Sequence, residues 1–160
     1  MYRQYIITGM NKMNAAELFA EKQAYLDQFH ASGYPAAFED YQSQVRAFFD
    51  ACDSTCPAEE KNIEDFCKEI AGQISSCAAE QKKQAGFRNE REEEAWQRNC
   101  NLFMVAYVFP AILECRNSYY KPLVKAIEKT WAKTFKSSKI KAATFETINS
   151  GFHKKILGLF

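Results

Sequence analysis

Glycine is scarce in this chain, six in 160 residues, and the six are scattered singly. Neither GxGxxG nor GxxxxGK[ST] occurs, so no glycine loop is available to cradle a phosphate. Histidine is scarcer still: His30 and His153 are the only two, and neither sits in a recognisable motif. Nucleophilic catalysis needs a base oriented beside a Ser or Cys, and no triad can be assembled from this inventory. A stretch of roughly 20 apolar residues, as needed to span a bilayer, is also missing. The longest uncharged apolar run, residues 102–113, has twelve and contains Pro110. The opening MYRQYIITGMNKMN lacks the apolar centre and small-residue cleavage site of a signal peptide. There is no Gly/Ser linker, no low-complexity tract, no internal repeat and no stretch of strand-like alternation.

What is present is apolar mass arranged in helical stripes. Hydrophobic residues make up 47% and aromatics 14%, which excludes disorder by composition and allows one domain with a substantial core. The run Leu102–Leu113, LFMVAYVFPAIL, is apolar on every side, and a helix of that kind belongs in an interior. It is expected to be the spine of the fold, in a helix of about 90–115, kinked near Pro110, whose ring removes one backbone bond and clashes with the preceding turn.

Around it the spacing predicts five more helices. Asn14 and Glu17 form a capping-box pair before the stripe Leu18, Phe19, Tyr25, Leu26, Phe29. Pro35 opens a second helix with Tyr41, Val45, Phe48 and Phe49 on one side. Pro57 opens a third, buried along Ile63, Phe66, Cys67, Ile70, Ile74 and Cys77 and stopped at Gly86. Asn89 and Glu92 cap the spine helix. Asn117 and Ser118 precede a fifth helix with Tyr120, Leu123, Val124, Ile127, Trp131 and Phe135 inward, and a last one carries Phe145, Ile148, Phe152, Ile156 and Leu159. The expectation is an all-α, up-and-down bundle of about six helices, residues 14–160 forming a single domain and residues 1–13 an arm outside the core.

Net charge is +1, but unevenly spread. From Lys121 to Phe160 there are nine lysines and two acids, a surplus of seven, so the preceding 120 residues carry −6. Lys121, Lys125, Lys129 and Lys133 recur at every fourth position, which sets them along one side of the fifth helix. Such a row can track phosphates or meet an acidic surface. It is also the ordinary form of a solvated helix face, and no arginine follows Arg116 to fork a phosphate bidentately. The acidic cluster Glu90, Glu92, Glu93, Glu94 lies in a first helical turn, where the dipole favours acids, and needs no ligand to explain it.

The six cysteines fit buried thiols of a reducing compartment better than a secreted disulfide framework. Cys52 and Cys56 are the one close pair; zinc wants about four ligands, commonly two such pairs. Asp27-x-x-His30 has helical ligand spacing but no second copy. Aromatics are in surplus: Phe87, Tyr107, Tyr119, Tyr120, Tyr34 and Phe160 exceed what the stripes need. The functional expectation is therefore a cytoplasmic protein–protein interaction module without catalytic activity and without a cofactor. Its partner-binding surface is expected at Tyr119, Tyr120, Lys121, Lys125, Lys129 and Lys133. Nucleic acid or an anionic surface, bound through the same lysines, is the alternative. A cysteine-dependent enzyme or metal protein using Cys52 and Cys56 comes third.

Overall fold

The computed structural model describes residues 15–32, 41–43, 46–47, 60–115, 119–136 and 138–142, and it is an all-α bundle with no strand among them. The first helical stretch is divided at Glu21 into α1 (Ala15–Ala20) and α2 (Lys22–Ser32), although Tyr25 N–H still bonds the Glu21 carbonyl at 3.1 Å. Its expected stripe is buried throughout: Leu18, Phe19, Tyr25, Leu26 and Phe29 all belong to the core. Asn14, the expected second-helix stripe apart from Tyr41, and the expected last helix lie outside the described residues. Tyr41 is helical and fully buried.

Helix α3 (Glu60–Ala85) is about 39 Å long at 1.5 Å per residue. Phe66, Cys67, Ile70 and Ile74 are buried on its inner side, with Ile63 and Cys77 half-buried. Gly86 ends it with φ 64°, a left-handed conformation that glycine adopts without a Cβ penalty. Helix α4 (Glu90–Phe103) starts at Asn89, whose side chain accepts from Glu92 N–H at 3.0 Å. Glu92 does not close the box on Asn89 itself. Its Oε1 accepts from Arg88 N–H at 3.1 Å and its Oε2 from the Arg88 guanidinium at 2.8 Å, which together hold the Glu92 carboxyl below its usual range.

The interruption expected near Pro110 is present as a widened turn ahead of the proline. Residues Met104–Val108 form a π-helix, with Phe109 N–H reaching back five residues to the Met104 carbonyl. Helix α5 (Phe109–Cys115) then continues in α geometry. Pro110 has no N–H for the Ala106 carbonyl, and a wider preceding turn relieves the clash its ring would meet in a regular α ladder. Leu102 to Ile112 is buried apart from half-buried Val105, so this segment is the interior spine.

Helix α6 (Tyr120–Thr134) buries Leu123, Val124, Ile127 and Trp131 and forms its longest seam with α3, not with a neighbour in sequence. Around the spine the aromatics interlock. The Tyr41 ring meets Tyr25 at 5.0 Å, Phe103 at 5.1 Å and Tyr107 at 5.5 Å between centroids, mostly edge to face. Tyr107 satisfies its hydroxyl by donating to the Tyr25 carbonyl at 3.0 Å. Among the described residues no helix is long and apolar enough to cross a membrane.

Candidate functional site: the lysine face of α6

The four-residue spacing places Lys121, Lys125, Lys129 and Lys133 on the side of α6 opposite Leu123, Ile127 and Trp131, and all four are exposed. At 1.5 Å per residue the row runs about 18 Å along the surface. Among the described residues none of the four meets a carboxylate. The one acid of the helix, Glu128, is committed elsewhere: its Oε2 accepts the Ala142 backbone N–H at 2.7 Å and holds the chain after α6 against the helix. The ridge is therefore a cationic strip whose four ammonium groups, among the described residues, form no salt bridge.

The two tyrosines expected beside it divide. Tyr119 is 1% exposed and is part of the core, packed edge-on against Phe66 at 5.3 Å, while its carbonyl accepts from Leu123 N–H and the Cys67 thiol. It has no face to offer a partner in this structure. It packs against α3 because it stands four residues before Leu123, on the same side of the chain as the buried stripe of α6. Tyr120 is half-buried, with the Lys121 ammonium 5.8 Å from its ring centre, and stays at the edge of the ridge. Of the other surplus aromatics, Tyr107 is core and Phe87 rests on Trp96 at 6.2 Å; Tyr34 and Phe160 lie outside the described residues.

The acidic cluster behaves as a helix start. Glu92 pairs with Arg88 and Glu93 with Lys82 at 3.5 Å. Asp27 and His30 are both exposed; Asp27 accepts from Gln23 at 2.9 Å and His30 meets the Phe29 ring edge to face at 5.7 Å. Cys67, Cys77 and Cys100 are thiols rather than disulfides, and burial pushes the Cys100 thiol up to about 12. No group of three or more metal-ligating side chains comes together among the described residues. Cys52 and Cys56 are outside them.

Sequence reasoning passed over two lysines that the fold draws inward. Lys22 is 5% exposed, its ammonium 4.0 Å above the Trp96 ring, and burial lowers its pKa. The signal was legible: Lys22 is four residues after Leu18 and three before Tyr25, on the apolar stripe itself. Lys82 donates to Gln97 Oε1 at 3.1 Å, and Gln97 Nε2 donates to Asn101 Oδ1 at 3.0 Å, which also accepts from Trp131 Nε1 at 3.0 Å. This polar line ties α3 to α4 and α4 to α6. No protein-family model, curated protein or solved structure matches the chain.

Proposed function

We propose that the protein is a helical interaction module that binds an acidic surface of a partner protein through Lys121, Lys125, Lys129 and Lys133, working in the cytoplasm and acting by binding rather than catalysis. The observation that supports this is the ridge itself: four exposed ammonium groups in line, with the helix's one acid occupied by a backbone N–H. Such a strip steers an acidic partner and fixes its orientation more than it adds to affinity. The absence of arginine favours a carboxylate-bearing protein over phosphate, since lysine presents a point charge and not a fork. The buried and half-buried thiols of Cys67, Cys77 and Cys100 support a reducing compartment.

The test is affinity capture from the native host with the wild-type protein and Lys125→Glu/Lys129→Glu side by side. A stoichiometric protein lost on charge reversal is the expected result, with stability unchanged within about 0.5 kcal/mol because both sites are solvent-facing. Recovery of the same set by both proteins sinks the reading. Nucleic acid in the wild-type eluate, lost on charge reversal and on raising salt, replaces it with the phosphate alternative.

A further inference from the structure

A second cationic feature is built from residues outside that row. The chain leaving α6 folds back along α4 and the π segment and leaves a groove of about 350 Å³, within the roughly 300–1,000 Å³ range of small-molecule sites. Its floor is Leu102, Val105 and Ile140, and Val105 is the one residue of the π segment that is not fully enclosed. Its rim is Arg98, Lys139 and Lys141, all exposed, and among the described residues no acid lines it.

The remaining lining residue is Asn101, and its orientation is dictated by chemistry. An indole nitrogen can only donate, so the Asn101 atom facing Trp131 Nε1 at 3.0 Å must be oxygen. Gln97 Nε2 fills the same oxygen from the other side. The Asn101 amide nitrogen, with two N–H groups, is then turned out of that network. Among the described lining residues the free polar groups are thus donors: a guanidinium, two ammonium groups and an amide N–H₂. The rim is also built in place. Ser138 N–H bonds the Phe135 carbonyl at 2.8 Å, Ile140 is 6% exposed against the core, and Glu128 grips Ala142 N–H.

A donor-only rim over an aliphatic floor fits one kind of ligand. We propose that this groove binds a small carboxylic acid with an aliphatic body, its carboxylate held among Arg98, Lys139 and Lys141 and its hydrocarbon laid over Leu102, Val105 and Ile140. A carboxylate supplies only acceptors and matches the fork of Arg98 bidentately. The hydrocarbon takes up apolar surface that the carboxylate alone would leave wet.

The probe is sodium octanoate, titrated into the ¹⁵N-labelled full chain and followed by NMR. Saturable shifts at the Asn101 side-chain amide and at the Val105 and Ile140 backbone are expected. Acetate, which lacks the hydrocarbon, and octanol, which lacks the charge, should each bind at least about tenfold more weakly. Arg98→Gln/Lys139→Gln should weaken octanoate by about tenfold, and Lys141→Glu, on the same exposed rim, should do the same, while Lys121→Gln/Lys125→Gln leaves it unchanged. Absent shifts, shifts spread along the α6 ridge, equal binding of octanol, or indifference to the groove variants each overturn the proposal. Partner capture by the α6 ridge is read in a separate experiment, so failure here and failure of that reading are distinguishable.

Discussion

Trp131 donates its indole N–H to Asn101 Oδ1 at 3.0 Å, and this contact sets the orientation of the Asn101 amide between α4 and α6. At the other end of the line Lys82, which also can only donate, takes Gln97 Oε1. With a pure donor at each end, both amides have one allowed orientation. The bundle is therefore held in register by a directional line as well as by apolar packing.

Removing the shared acceptor should be costly. Asn101→Leu strands Trp131 Nε1, and it costs Gln97 Nε2 its acceptor as well, so a loss of about 1–3 kcal/mol is expected. Asn101→Asp keeps an oxygen facing both donors and should retain most of the stability. Urea denaturation checks this: the midpoint should fall for Asn101→Leu with the slope unchanged. An equal loss in the two variants would show that an acceptor oxygen at this position is not what holds the line together.

The same contact marks where sequence reading reaches its limit. Stripes such as Leu18–Phe29 and Phe66–Ile74 were legible because helical burial follows a 3.6-residue period, and the structure buries them as expected. The lysine row was legible for the same reason. Tyr119 was legible as well, since it stands four residues before Leu123 on the stripe that continues to Ile127 and Trp131, and the structure buries it with them. The groove was not legible at all: Arg98, Val105 and Lys139 meet only because the chain folds back after α6, and no local spacing encodes that return. Pro110 announced an irregularity, but whether it appears as a break or as a widened turn depends on packing around it.

Lys22 gives a prediction with a sign. Its ammonium is removed from water and, among the described residues, has the Trp96 ring but no carboxylate beside it. Burial lowers its pKa, so just below 10.5 the unfolded chain holds more protons than the folded one and stability rises with pH there. Lys22→Met should abolish that rise and stabilise the protein by about 1 kcal/mol at pH 7, since a buried charge without an ionic partner is replaced by a side chain of similar shape. A loss of stability on substitution would mean that the contact with Trp96 outweighs the burial.

Gly86 carries the turn between α3 and α4 at φ 64°, in open space where an added Cβ would meet nothing within 4 Å. The cost of a side chain there is conformational alone. Gly86→Ala should lower stability by about 1 kcal/mol, and Gly86→Asn by less, because asparagine tolerates the left-handed region. Thermal unfolding of the two variants separates them. Equal losses would mean that the backbone relaxes out of this conformation.

Cys100 is expected to dominate the first stage of alkaline unfolding. Burial raises its thiol from 9.0 to about 12, against the opposing pull of the Lys22 and Lys82 ammonium groups. Above pH 9 the unfolded chain loses this proton while the folded chain keeps it, so the folded state binds more protons and stability falls as pH rises. For one group the limiting slope is about 1.4 kcal/mol per pH unit. Tyr107, raised to about 12 by its own burial, adds the same sign of dependence only once tyrosines of the unfolded chain begin to ionise near 10.0. The two are separable by measuring below that point. Cys100→Ala should be less stable than wild type at pH 7 through lost packing, and the gap should narrow between pH 8 and 10 as the wild type alone loses its thiol contribution. A gap that stays constant across that range would place the Cys100 proton on an ordinary, solvent-accessible thiol and refute its enclosure between α2 and α4.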